Sequence, residues 1–275
     1  MVEPVVIVHG GAWAVPEILW DRSIAGVKTA ALHGYKVLQE GGSVVDVAEA
    51  AVEMDAIIMN GATMEAGAVA AIRNIPNPVK VARLIMEKTP HVMLAGEGAN
   101  KFASQYGINE VDKELLITPY AKEELAEYKK YTNTVYCLFN KTEHVNPVGH
   151  DTVGCAVVDQ KGHTACATST GGITAKMPGR VGAVSTTGCG EAIMKACLAR
   201  HIVSVMGTGQ DVVTAIKSGL NHMETRINGF GGAIAVSCKG DVGMQFSTPR
   251  MPWAYVRQGK LHYGIHPGQH IIEDL

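Results

Sequence analysis

The residues best placed to do chemistry gather around Thr152. A polar stretch ends at Gly149-His150-Asp151, and a strand-like run, Thr152-Val153-Gly154-Cys155-Ala156-Val157-Val158-Asp159, begins at once. A hydroxyl at the head of a core strand can act as a nucleophile, but a weak one unless a base adjoins it. Cutting the Asp151–Thr152 bond supplies that base. An α-amino group titrates near ~7.7–8, so a useful fraction of the new amine is neutral at physiological pH. One residue then carries both hydroxyl and base, the Thr–N-terminus variant of triad logic. An ordinary β-branched residue opening a strand after a loop has the same appearance, and spacing alone does not separate the two.

Further hydroxyls follow. Thr168-Ser169-Thr170-Gly171-Gly172 ends the next strand-like run, which a hairpin would lay beside Thr152. Thr186-Thr187-Gly188-Cys189-Gly190 reads as a hydroxyl-and-glycine turn before a helix. Its backbone N–H groups are of the kind that bind an anion or a developing oxyanion; a capped helix start has the same composition. Arg180, between Gly179 and Val181-Gly182, can hold a carboxylate with two parallel hydrogen bonds, or stand as a solvated surface arginine. His9-Gly10-Gly11 is either an oxyanion turn or a plain tight turn. Gly207-Thr208-Gly209 lacks the strand and third glycine of a dinucleotide site and reads as a loop. No His, Cys, Asp and Glu residues stand at recognisable metal-ligand spacing, so neither a metal nor a cofactor is expected.

These residues need elements to position them. Val5 to Val8 reads as a buried strand, Ile24 to Leu38 as a helix closed by Gly41-Gly42, and Ser43 as the cap of a helix over Val44 to Val52. Glu53 to Met59 reads as a strand, joined to that helix with no turn residues between, which short connections ordinarily need. Gly67 to Ile75 reads as a strand, and Asn77-Pro78 opens a helix through Met86-Glu87-Lys88. Residues 109 to 151 are rich in Lys, Glu, Tyr, Asn and Thr, with a polar helix near Lys122 to Lys130, and read as an exposed linker. The Asn140-Lys141-Thr142 sequon within it has no signal peptide to give it meaning. Beyond Thr152, Lys161-Gly162 makes a hairpin turn, with His163 to Ser169 as the returning strand. Strands are expected at Gly182 to Ser185, Gly232 to Ser237 and Val242 to Ser247, and helices at Glu191 to Met206 and Asp211 to Met223. Runs of strands and then helices in both halves point to an α+β fold with sheets covered by helices.

The chain has 275 residues, 47% of them hydrophobic, enough for a sizeable core. A formal net charge of -2 marks no surface for nucleic acid or membrane. The six cysteines, Cys137, Cys155, Cys166, Cys189, Cys197 and Cys238, form no C-x-x-C and read as buried or partly buried free thiols. Only Cys189 stands in a turn where reactivity is worth testing. The N-terminus has no basic and then apolar signal-like stretch, and the apolar runs are too short to span a bilayer. A soluble, intracellular protein with a small polar partner is the expectation.

Taken in order, the motifs resemble the plant-type asparaginase and isoaspartyl-peptidase family over nearly the whole chain. The carrying residues are Val8-His9-Gly10-Gly11-Ala12-Trp13, Glu53-Met54-Asp55-Ala56, His150-Asp151-Thr152-Val153-Gly154 and Ala167-Thr168-Ser169-Thr170-Gly171-Gly172. Pro178-Gly179-Arg180-Val181-Gly182, Ser185-Thr186-Thr187-Gly188, Gly229-Phe230-Gly231-Gly232 and Met251-Pro252-Trp253-Ala254 complete them. The resemblance implies a four-layer αββα sandwich of the N-terminal-nucleophile (Ntn) hydrolase type. It implies one domain over residues 1–275, self-cleaved at Asp151–Thr152 into an α chain, 1–151, and a β chain, 152–275, that dimerise as a homodimer of α/β pairs. Thr152 is similar to the family's nucleophile, Thr170 to the hydroxyl supporting it, Arg180 to the ligand of the substrate α-carboxylate, Thr187 and Gly188 to the turn at the reacting centre, and Gly190 to a substrate-contacting backbone. His9, Gly10 and Gly11 are expected near Thr152, in a role linked to processing. The implied reaction is hydrolysis of a β-aspartyl amide, from asparagine or an isoaspartyl dipeptide, through an ester on Thr152. The related glycosylasparaginases also carry His-Asp-Thr at the cut, but they typically enter the secretory route and usually place Asn where Gly171 stands here. Both differences favour the cytoplasmic branch.

Two departures accompany the resemblance. The family has a segment between the Val52 helix and the Glu53 strand, with an Asn-Ala-Gly turn whose asparagine helps form the oxyanion hole. It also continues Gly-Arg-Val-Gly into an Asp-Ser-Pro stretch whose aspartate binds the substrate amino group, whereas Gly182 here runs into Ala183-Val184. A second reading follows from these gaps: a shortened, impaired or inactive relative that stays uncleaved and acts by binding or dimerising.

Overall fold

The computed structural model describes residues 2–50, 55–117, 150–173 and 186–275. The helix expected at 122–130, the strand expected at 182–185, Arg180, Cys137 and the Asn140 sequon lie outside them.

Nine of the described strands form one sheet. They are β1 (Val5–His9), β2 (Asp55–Asn60), β3 (Ala66–Ala70), β4 (Met93–Ala95), β5 (His150–Val158), β6 (Thr164–Ile173), β10 (Trp253–Arg257), β11 (Lys260–Gly264) and β12 (Ile271–Asp274). Their lateral order is β12-β11-β10-β1-β5-β6-β2-β3-β4. A second sheet of three strands holds β7 (Thr186–Gly188), β8 (Gly231–Val236) and β9 (Val242–Phe246) in that order. The helices are α1 (Trp20–Gln39), α2 (Val44–Ala50), α3 (Pro78–Lys88), α4 (Gly96–Gln105), α5 (Gly190–Ala196), α6 (Leu198–Gly207) and α7 (Val212–Ile227).

Strand alternation explains how these elements stack. Successive side chains point to opposite faces, so Val6 and Val8 of β1, Ala56 and Ile58 of β2, and Cys155 and Val157 of β5 share one face. They pack with Val27, Ala31, Val47, Val79, Ala82, Ile85 and Ala103 from α1 to α4. Ile7, Ala156 and Trp253 lie on the opposite face and pack with Ile234, Val236, Met244 and Phe246 of the small sheet. Ala233 and Ala235, on the other side of β8, pack with Ile193, Leu198, Ile202, Ile216 and Met223 of α5 to α7. A strand covered on both faces carries no polar alternation, which is why β1 reads as a continuous apolar run.

Local chemistry fixes the helix ends. The Ser43 Oγ accepts from the Asp46 N–H at 3.2 Å while the Asp46 carboxylate accepts from the Ser43 N–H at 2.7 Å, a reciprocal cap for α2. Pro78 opens α3, where its missing N–H costs nothing. Asp211 caps α7 through the Thr214 N–H at 2.9 Å. Arg83 of α3 ties the two helices together, pairing with Asp46 at 2.8 Å and Glu49 at 2.8 Å as well as with its own Glu87; these hydrogen-bonded carboxylates hold its guanidinium charge firmly.

Several expected boundaries are corrected. The strand expected over 67–75 stops at Ala70, because Ala71 and Asn74 take positive φ of 51° and 55° and turn the chain away. The helix expected over 191–206 is broken at Cys197, which is left-handed at φ 46°, ψ 46°. Residues 109–117, expected to begin the linker, are tied to the domain: the Val111 N–H donates to the Asn74 carbonyl at 2.8 Å, and Asp112 caps a short helical turn at Lys113–Leu115. Cys197 and Cys238 are exposed rather than buried.

Candidate active site

The expected hairpin places Thr152. β5 and β6 pair antiparallel from Val158↔Thr164 to Thr152↔Thr170, and the register then shifts, so that Asp151 lies opposite Gly172 and Gly171 is left over. An extra residue of this kind bends the strand that carries it, here β6, and re-aims its side chains; it lies opposite the Asp151–Thr152 peptide. The Thr152 and Thr170 hydroxyl oxygens are 3.0 Å apart. Thr170 is buried and Thr152 partly buried. Both lie on the face of the large sheet that meets the small sheet, since Cys155 and Ala167, at odd positions, pack on the helical side.

The turn after β1 comes to the same place. His9 pairs with Gly154, two residues along β5 from Thr152, and with Trp253 on its other side. The imidazole brings Nε2 closest to Gly154, where a Cβ would come within 2.2 Å of that nitrogen. Only glycine permits that approach. Burial pushes the His9 pKa down to about 3, so the ring is neutral across the physiological range. Nδ1 accepts a long bond from the Gly11 N–H at 3.4 Å, which places the proton on Nε2, and Nε2 has no protein partner among the described residues. Gly10 donates to the Pro252 carbonyl at 2.9 Å. Ala12 donates to the Thr187 Oγ1 at 3.0 Å, joining the turn to the small sheet.

Thr187 and Gly188 are strand residues, not a turn. Thr187 pairs with Gly232 and Gly188 with Gly231. Gly188 has φ of 128°, and a Cβ there would meet the Gly231 Cα at 2.4 Å and the Phe230 carbonyl oxygen at 2.6 Å. The chain then enters α5 directly, with Cys189 at the cap and Gly190 as first residue. The hydroxyl-and-glycine composition that suggested a turn is what a tightly packed strand end also uses. Cys155, on the helical face, has its thiol held protonated by burial and supplies no rival nucleophile. Among the described residues no group of three or more His, Cys, Asp or Glu could hold a metal.

The assembled part is thus a pair of hydroxyls facing each other across β5 and β6, a buried neutral histidine beside it, and a third hydroxyl across the sheets. β5 begins at His150, so Thr152 is its third residue and not, as the sequence suggested, its first. Arg180 is not among the described residues, so its place relative to the pair is untouched by this geometry.

Comparison with known proteins adds sequence relatives. A model of the asparaginase family matches residues 48–265. The isoaspartyl peptidase/L-asparaginase of Xenopus laevis is 42% identical over 313 aligned positions, covering 99% of this chain and 98% of the relative. That of Danio rerio is also 42% identical, over 315 positions with 99% and 98% covered, and the human one is 40% identical over 312 positions with 99% of both chains covered. The 313 positions exceed the 275 residues of this chain by 38, so at least that many positions of the relative have no counterpart here. The chain is therefore shorter internally, as the two departures in its sequence require.

Proposed function

The chain belongs to the asparaginase family, and from that premise we propose that it hydrolyses β-aspartyl amides, releasing aspartate from asparagine and from isoaspartyl dipeptides. The observation that carries this reading is the Thr152–Thr170 hydroxyl pair, 3.0 Å apart across β5 and β6. The names of the relatives supply the substrate class. The second reading, an inactive binding or dimerising protein, gains no support from relatives that carry enzyme names over 99% of the chain.

In the proposed mechanism the precursor first cleaves itself. Thr152 Oγ1 attacks the Asp151 carbonyl carbon, the acyl group moves from nitrogen to oxygen, and water releases the ester. The freed α-amino group of Thr152 then serves as base for its own hydroxyl. The nucleophile forms an ester with the β-carboxyl of the substrate, ammonia or an amino acid leaves, and water regenerates Thr152. Thr170 supports the hydroxyl, Arg180 takes the substrate α-carboxylate as a bidentate partner, and Thr187, Gly188 and Gly190 border the reacting centre. His9, Gly10 and Gly11, at the end of the strand that pairs with Gly154, serve the first step. The reading carries with it the αββα sandwich, supported by helices on the outer face of each sheet, a homodimer of α/β pairs, and a cytoplasmic location. Losing one oxyanion donor typically costs ~10²–10³ in rate, so the shortened chain is expected to be a slow member of its family. The test is aspartate release from asparagine and from an isoaspartyl dipeptide, with Thr152→Ala as control. Equal release by parent and control would overturn the reading.

A further inference from the structure

A carboxylate stands in line with the hydroxyl pair, and the proposed mechanism gives it no part. Asp55, the first residue of β2, pairs with Thr170, and Thr170 pairs with Thr152. The three residues form one row across three neighbouring strands. Ala56 and Ile58 pack on the helical side of the sheet, so alternation puts Asp55 on the opposite face, the one that carries Thr170 and Thr152. Directly opposed residues of antiparallel strands have Cβ atoms about 4.5–5.5 Å apart, within reach of a carboxylate and a hydroxyl. Asp55 is partly buried.

The hydroxyl pair is ambiguous by itself, since either oxygen can donate across the 3.0 Å. If Thr170 donates, a lone pair of the Thr152 oxygen is occupied and the oxygen is a poorer nucleophile. If Thr152 donates, its oxygen gains electron density. An ionised carboxylate only accepts, so a carboxylate next in the row decides the direction. We propose that Asp55 is a positioning residue: it takes the proton of the Thr170 hydroxyl as acceptor, which turns the Thr170 oxygen toward the Thr152 proton. The role is greatest before cleavage, when Thr152 has no free amine to act as its base. The proton leaving Thr152 as its oxygen bonds to the Asp151 carbonyl carbon moves along the pair. It returns to the Thr152 nitrogen when the Asp151–Thr152 bond breaks, so no co-reactant is consumed. The inference rests on the proposed hydrolase reading and adds a residue to it.

The test follows self-cleavage by intact mass in the parent, Asp55→Asn, Thr170→Ala and the double variant. Asp55→Asn is expected to slow cleavage by at least about 10-fold, and the double variant to be no slower than Thr170→Ala, because Asp55 acts through that hydroxyl. Hydrolysis of asparagine by cleaved Asp55→Asn should fall less than the cleavage rate, the amine having taken over as base. Cleavage of Asp55→Asn at the parental rate, or effects that multiply in the double variant, overturn the proposal. A second measurement does not depend on activity. In mixed H2O and D2O the Asp55 carboxyl carbon of uncleaved protein should show an isotope shift in its NMR signal, lost in Thr170→Val. An absent shift in the parent, or one that survives in Thr170→Val, overturns the inference. A parent that neither cleaves nor hydrolyses asparagine overturns the hydrolase reading instead.

Discussion

The Thr152 and Thr170 hydroxyl oxygens lie 3.0 Å apart across the β5–β6 pair, immediately before the register of that pair slips by one residue. The unpaired Gly171 puts the irregularity in β6, opposite the peptide that joins Asp151 to Thr152, while the regular ladder beyond it, Val153↔Ser169 through Val158↔Thr164, holds the threonine fixed. Rigidity on one side and irregularity on the other suit a residue that must be both the target's neighbour and the attacker.

Thr170→Val keeps the shape of the side chain and removes the partner of Thr152. Asparagine hydrolysis is expected to fall by about 10²-fold, while stability changes by about 1 kcal/mol, the net worth of one hydrogen bond. Thr170→Ser should keep most of the activity. Rates measured beside thermal unfolding check both halves, and equal activity in Thr170→Val would remove Thr170 from the site.

Gly154→Ala drives a methyl group into the His9 imidazole, with only 2.2 Å available. The ring is fully buried between β5 and β10, so the backbone must shift. Overpacking of this kind costs about 1–3 kcal/mol, read as a lower urea midpoint at unchanged slope. His9→Ala in the same chain should recover part of the loss, whereas an additive loss would mean that the two residues do not compete for space.

The depressed pKa of His9 predicts acid sensitivity. Unfolded, the imidazole titrates near 6.5; folded, at about 3. Between those values the unfolded chain binds a proton that the folded one refuses. His9 therefore opposes folding increasingly as pH falls from 6.5 towards 3, by up to about 1.4 kcal/mol per pH unit, and has no such effect above 6.5. Unfolding free energy measured at pH 5 and pH 7 should differ less in His9→Gln than in the parent. An identical pH slope in the two proteins would contradict the assignment.

Arg180→Lys replaces a planar fork with a point charge. Under the proposed role KM for asparagine rises, with a smaller change in kcat. An unchanged KM in an active preparation would count against the arginine as the carboxylate ligand.

Much of this arrangement is legible in the residues, and the illegible parts have physical causes. The β5–β6 hairpin reads directly, because Lys161-Gly162 marks its turn and the apolar run before it marks its strand. The α3 helix reads to the residue, because Asn77-Pro78 starts it and Val79, Ala82 and Ile85 keep one face. The break at Cys197 is unreadable because no Gly or Pro announces it; tertiary packing of Ala196 and Leu198 sets it. β10 and β11 go unread because side chains such as Trp253, Tyr255 and His262 stack on one another instead of alternating apolar with polar. The partnership of His9 with Gly154 is a contact between strands far apart in the sequence, and no local pattern encodes which glycine an imidazole will cover.

The central claim is that Thr152 cuts the bond before it and then uses the amine so released. Intact-mass spectrometry of fresh and aged protein, with Thr152→Ala in parallel, measures it most directly. The account predicts a slowly accumulating pair of fragments, 1–151 and 152–275, in the parent and none in the variant. Cleavage at another bond, or equal cleavage in Thr152→Ala, would contradict it.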